Sequence, residues 1–264
     1  MATSLGITRI PLRVRDLILI FSALGATILI AWGYLFTLSE KMSLMDVSSM
    51  KATAMVGMHT WHGGDFLGMF AMWAVMMVGM MIPTAMRAVL IYAAVVNRAD
   101  KPGSPVVQTY WFVAGYVVIW TIFSLGATGF QWALDQGGLL SPTMVIASPI
   151  VGAGLLITAG LYQLTPWKDT CLRHCQSPVM FIAMHYKPGR FSALRLGAHH
   201  GGYCLGCCWV LMGLLFLGGV MNLIWIAAIT GFVLLEKLLP SSLRTVPLTG
   251  TLMVASGLGF LIFE

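Results

Sequence analysis

The 264-residue chain is 58% hydrophobic and only 9% charged, with a formal net charge of +6 and a mean hydropathy of +0.87. Soluble domains carry about 25% charged residues, so this composition excludes an ordinary soluble domain and predicts an integral membrane protein. The pI near 9.2 then reports topology rather than nucleic-acid binding, because excess Lys and Arg in such chains mark the cytoplasmic segments. Five cysteines, an odd number, argue against a complete disulfide framework.

A helix crossing the hydrocarbon core needs about 20 apolar residues, within about 17–25. The first such run is Leu17–Thr37. It is too long for the apolar region of a cleaved signal, and no small-residue cleavage site follows it. An outer segment, residues 38–65, carries methionines and histidines. Phe66–Val96 follows, with Pro83 inside it, where proline is expected to kink the helix. Val106–Leu134 and Met144–Thr165 are the third and fourth runs. Residues 166–202 read as a basic cytoplasmic loop with five basic residues, two cysteines and four histidines. Its middle mixes apolar and basic residues, so it can lie in the headgroup plane, broken at Pro188-Gly189. Tyr203–Gly218, Met221–Leu239 and Leu248–Phe263 complete the set. The fifth and seventh runs are short, so one of them could be re-entrant or strongly coupled to a neighbour.

Basic residues test this count. With the N-terminus in the cytoplasm and seven spans, twelve of the fifteen Lys and Arg fall inside, Lys41 and Lys51 outside, and Arg87 within the second span. Removing one span scatters these charges, against the positive-inside rule. The expected fold is therefore all-α: one polytopic transmembrane helical bundle over residues 1–264, with about seven spans, six as the competitor, and the N-terminus cytoplasmic.

Two clusters carry recognisable chemistry. Cys171, His174 and Cys175 stand at i, i+3 and i+4, which share one helical face. Cys204, Cys207 and Cys208 repeat that spacing. His200 joins the second face, one turn before Cys204, if the fifth helix starts early; Gly201-Gly202 weakens that start. Both clusters fall on the reducing side of the expected topology, where a cysteine pattern reads as metal-binding or catalytic rather than as a disulfide. Thiolate and imidazole suit Cu(I), Zn(II) or an iron–sulfur cluster, and such gaps are usual for zinc. The competing reading is close helix packing, since cysteine is a small, easily buried hydrophobe. The matching pair of clusters favours the metal.

Methionine is the second soft donor, with nineteen in the chain. Met69, Met72, Met76 and Met80 follow one face of the second span, with Met77 and Met81 beside them. Thioether sulfur selects Cu(I), but methionine is also an ordinary gap-filler, and packing accounts for most of these residues. Met76, Met77, Met80 and Met81 are the least ordinary four. The outer segment adds Met42, Met45, Met50, Met55, Met58, His59 and His62. Methionine and histidine without cysteine is the set expected for copper on an oxidising side, so Met58, His59 and His62 form a second expected site.

The remaining charges have plain readings. Arg87, Glu236 and Lys237 fall near span ends, where snorkelling explains them. No P-loop, G-x-S-x-G, H-E-x-x-H or Ser/His/Asp set is present, so no enzyme class is indicated. Cys175 beside His174 is the sole local pairing for a reactive thiol, which needs a low pKa and a neighbouring base.

The stretches "MWAVMMVGMMIPTAMR", "GLYQLTPWKDTCLRHCQSP", "HHGGYCLGCCWVLMGLLFLGGVMNLIW" and "LLEKLLP" resemble the bacterial family of predicted metal-binding integral membrane proteins, a family of unknown function. The resemblance runs from about Phe66 to Pro240. It implies metal binding, with Cys171, His174, Cys175, Cys204, Cys207 and Cys208 as ligands; nothing carries over to the outer Met/His segment. The expectation is a multi-pass protein of the bacterial inner membrane that binds copper, with zinc as the alternative, for acquisition, storage or delivery. The runner-up is a non-catalytic accessory subunit of a larger membrane complex, such as a copper-dependent oxidase or monooxygenase. The expected partners are the lipid bilayer and other membrane subunits of such an enzyme, with no nucleic acid.

Overall fold

The computed structural model describes residues 13–49, 63–99, 104–141, 144–239 and 245–263. Its helices in chain order are α1 (Val14–Ser49), α2 (Gly63–Arg98), α3 (Pro105–Gln136), α4 (Pro149–Gln163), α5 (Pro166–Gln176), α6 (Pro178–His185), α7 (Arg190–Gly213), α8 (Leu215–Gly218), α9 (Leu223–Leu238) and α10 (Thr245–Phe263). Extended structure among the described residues is limited to one antiparallel bridge, Leu140 to Ile146, between α3 and α4. The fold is all-α, as composition and periodicity predict.

Among the described residues, five helical stretches are long and apolar enough to cross a membrane: Val14–Lys41, Gly63–Arg98, Pro105–Gln136, Arg190–Gly218 and Thr245–Ile262. The α4–α5 pair makes a sixth if taken together, but bends by 66° at its break. Seven spans would also require α9, whose 16 residues reach about 24 Å, short of a roughly 30 Å hydrocarbon core.

Three boundaries differ from the sequence reading. Residues 166–202 are not a loop but hold α5, α6 and the first turns of α7. Proline opens both short helices at the first position, where its missing N–H costs nothing, and Thr165 caps α5 by accepting from Lys168 N. The fifth run is not short, because α7 starts at Arg190 and passes through Gly201-Gly202 without a break. A Cβ at Gly201 would lie 3.1 Å from Ile119, so packing on α3 holds the helix where propensity alone would fray it. The outer segment is also shorter than expected, since α1 continues to Ser49. Residues 50–62 lie outside the described residues, and with them Met55, Met58, His59 and His62.

The centre of the bundle is the crossing of α2, α3 and α7. A Cβ at Gly115 would overlap the Leu194 carbonyl oxygen, and one at Gly197 the Phe112 carbonyl oxygen, so α3 and α7 meet backbone to backbone. Small residues commonly permit such approach in apolar bundles, where close packing replaces the hydrophobic drive. A second glycine crossing, Gly160 on Gly250, joins α4 to α10.

Pro83 does not end α2, which runs unbroken from Gly63 to Arg98. Proline has no N–H for the carbonyl four residues earlier, which is that of Gly79. Trp32 of α1 fills the gap: its indole N–H donates to Gly79 O at 3.3 Å. The proline thereby specifies where α1 docks.

Candidate metal centre

The two cysteine clusters meet. Cys175 on α5 and Cys207 on α7 lie with their sulfurs 3.9 Å apart. Cys175, Cys204, Cys207 and Cys208 are all buried, and all five cysteines are free thiols. Helical spacing explains the layout: i, i+3 and i+4 put the three α7 cysteines on the face that α5 covers. Gly206 lets α5 approach, since a Cβ there would lie 2.8 Å from Cys171 Sγ. Cys171 is half-buried at this contact, beside Tyr162, whose hydroxyl donates to Gly206 O.

The thiols are held in a defined arrangement. Cys207 and Cys208 each donate to the Cys204 carbonyl oxygen at 3.0 Å. Two further elements reach Cys204 Sγ. Lys237 Nζ of α9 donates to it at 2.9 Å, and the Tyr116 hydroxyl of α3 lies 3.0 Å away. Lys237 also donates to Thr84 Oγ1 at 2.9 Å. Tyr116 and Thr84 both donate to Met81 O of α2. With two thiols turned onto a backbone carbonyl, no group of three His, Cys, Asp or Glu side chains among the described residues converges as metal ligands.

The histidines of the two clusters take different places. His174 donates from Nδ1 to Thr170 O at 2.8 Å, and its ring lies flat on Tyr203 with centroids 4.2 Å apart. His200 is helical and buried one turn before Cys204, between the rings of Phe112 and Tyr116. Its Nδ1 has no hydrogen-bond partner among the described residues.

Glu236 and Lys237 overturn the snorkelling expectation: both are buried. Glu236 pairs with the buried Lys168 at 2.7 Å and accepts from Gln163 Nε2 at 2.7 Å, which ties α9 to α4 and α5. Gln176 Nε2 donates to Glu236 O and Leu239 O, satisfying carbonyls that the end of α9 leaves open. Arg87 keeps its plain role: it is exposed, and it donates to Gln176 O at 3.0 Å. Sequence reasoning missed Tyr116, Thr84 and Lys168 as neighbours of the site. Lys237 did carry a signal, a charge within an apolar run, but its nearness to a span end masked it. Tyr116 carried none, being one aromatic among many on α3.

Four thiols, with a lysine against one of them, are thus buried away from water within a bundle of apolar helices. The family model described as PpoB2, copper chaperone, matches residues 70–260, and the chain belongs to that family. No curated protein and no solved structure matches it.

Proposed function

We propose that the chain is a multi-pass protein of the bacterial inner membrane that binds Cu(I) as cargo, for acquisition, storage or delivery, through Cys175, Cys204, Cys207 and Cys208. The observation that carries this reading is the approach of Cys175 to Cys207. Two sulfurs each about 2.3 Å from one ion, the length of a metal–thiolate bond, stand about 3.8 Å apart in tetrahedral geometry and about 4.6 Å apart when linear. The separation of 3.9 Å falls in that interval. Rotation about χ1 of Cys207 and Cys208 frees their sulfurs from the Cys204 carbonyl to join the set. Cys171 at the edge and His200 one turn below are the reserve donors; His174 is committed to Thr170 and Tyr203.

For an ion held by two thiolates, as at the Cys175–Cys207 pair, charge favours the monovalent ion over zinc. Cu(I) on two thiolates carries a net charge of −1, which the Lys237 ammonium balances inside a buried site. Zn(II) on the same two thiolates and that ammonium leaves a net charge of +1, costly away from water. The family description supports copper, and the basic-residue count supports a reducing, cytoplasmic side for the thiols.

The test is a Cu(I) titration of the purified full chain against a competing chelator, alongside Cys204→Ser/Cys207→Ser/Cys208→Ser. The wild type should hold Cu(I) and the variant should lose the tight class. Equal binding by both proteins refutes the assignment, and preferential retention of zinc refutes the choice of metal.

A further inference from the structure

A second group of soft donors stands near the start of α2. Gln131 of α3 is buried, and its Nε2 donates to two thioethers, Met69 Sδ at 3.6 Å and Met144 Sδ at 3.2 Å. Its Oε1 accepts from the Trp73 indole at 2.6 Å. The indole can only donate, so it fixes which way the amide faces and keeps the NH2 on the sulfurs. Both sulfurs lie within 3.6 Å of one nitrogen, so they are no more than about 7 Å from each other. Each thioether has a second lone pair beyond the one that takes the N–H.

The backbone around Met144 is shaped to present it. Met144 has φ 58°, the only non-glycine residue in the left-handed region among those described. A β-bridge between Leu140 and Ile146 closes the loop. Val145 N donates to Ser141 Oγ, and Ile146 N anchors to Phe216 O at 2.9 Å. A left-handed turn alone favours glycine or asparagine; methionine there adds nothing but its side chain. Strained positions of this kind gather at ligand clamps.

We propose that Met69 and Met144, steered by Gln131, form a second Cu(I) site remote from the thiols. The proposal rests on the copper reading above. Thioethers are neutral and soft, so they take a monovalent soft ion and hold it less firmly than thiolates do. Methionine side chains have three rotatable bonds, enough to draw both sulfurs onto one ion. Met69 and Met144 are half-buried, so an ion can reach them. Met69 stands twelve residues before Met81 on α2, about 18 Å of helix. Met72, Met76, Met77 and Met80, all buried, occupy the interval. Met81 O in turn holds Tyr116 beside Cys204. A weak thioether site near the start of α2 and thiols beside its middle give Cu(I) a downhill direction along α2.

The experiment is a Cu(I) titration of the full chain, with Ag(I) as a second soft probe, comparing wild type with Met69→Leu/Met144→Leu. Leucine conserves volume and keeps the packing. The wild type should show a tight class and a weaker one. The double variant should keep the tight class and weaken the second by about tenfold or more, 1.4 kcal/mol or more. A variant with all five cysteines changed to serine should keep only the weaker class, and adding Met69→Leu/Met144→Leu should weaken it by the same factor. A weaker class that is absent from the wild type, or unchanged in the double variant, overturns the second site and leaves the thiol site standing. Absence of the tight class from the wild type overturns the thiol reading instead.

Discussion

Two glycines five residues apart on α7 should respond to alanine with opposite sign. At Gly197 the added Cβ would overlap the Phe112 carbonyl oxygen and lie 2.7 Å from the Phe112 carbonyl carbon. Neither is a side-chain tip that can swing aside, so α3 and α7 must separate. Overpacking of this kind costs about 1–3 kcal/mol, and backbone against backbone belongs at the upper end. Alanine returns about 1 kcal/mol through helix propensity, leaving a net loss of about 2 kcal/mol. At Gly202 nothing lies within 4 Å of the added Cβ, so only the propensity gain of about 1 kcal/mol remains. The pair should differ by about 3 kcal/mol in unfolding free energy in one detergent, or on the order of 5–10 °C in Tm for a chain of this size. Separation of α3 also draws Tyr116 from Cys204, so Gly197→Ala should weaken Cu(I) binding while Gly202→Ala leaves it intact. Equal shifts for the two variants, or a stabilised Gly197→Ala, would refute the backbone crossing on which the site rests.

Lys168→Met strips the cation from buried Glu236, and unfolding measurements should show a loss of about 3–5 kcal/mol, mostly regained in Lys168→Met/Glu236→Leu. Lys237→Met removes the ammonium that touches Cys204 and Thr84; chelator competition should read a 10–100-fold weaker Cu(I) site, the usual scale for an outer partner of a ligand. Affinity unchanged in that variant contradicts the charge argument for the monovalent ion. Trp32→Phe leaves the Gly79 carbonyl without its donor and should cost about 1 kcal/mol. In a Pro83→Ala background the restored N–H meets that carbonyl, and the same substitution should cost close to nothing; a constant cost in both backgrounds argues against the docking role of Pro83.

The legible part of this chain lay in its periodicities. Apolar runs place α2, α3, α9 and α10 to within a few residues, while α1 runs on past its apolar stretch to Ser49. The repeated i, i+3, i+4 spacing named the cysteines that α5 and α7 bring to Cys207 and Cys175. Spacing could not place α5 and α6, because their prolines and basic residues resemble a loop until tertiary contact with α7 supplies the partner. It could not extend α7 back to Arg190 either: paired glycines weaken an isolated helix, while here Gly201 packs on Ile119 of α3. Lys237 reads as snorkelling because a charge near the end of an apolar run is usually just that, and Lys168 reads as one basic residue of a cytoplasmic loop. What distinguishes Lys168 and Lys237 is the carboxylate or sulfur opposite each, contributed from elsewhere in the chain. Gln131 and Met144 likewise become meaningful only once α2, α3 and the loop after α3 stand together.

The most direct measurement is the copper content of the full chain purified from copper-replete cells, beside Cys175→Ser/Cys204→Ser/Cys207→Ser/Cys208→Ser prepared identically. The account predicts that copper accompanies the wild type, with a first shell of sulfur in its X-ray absorption spectrum, and that the four-serine chain remains folded with its thiol-bound copper gone. Copper retained equally by both chains, or a wild-type first shell of nitrogen and oxygen, would contradict it.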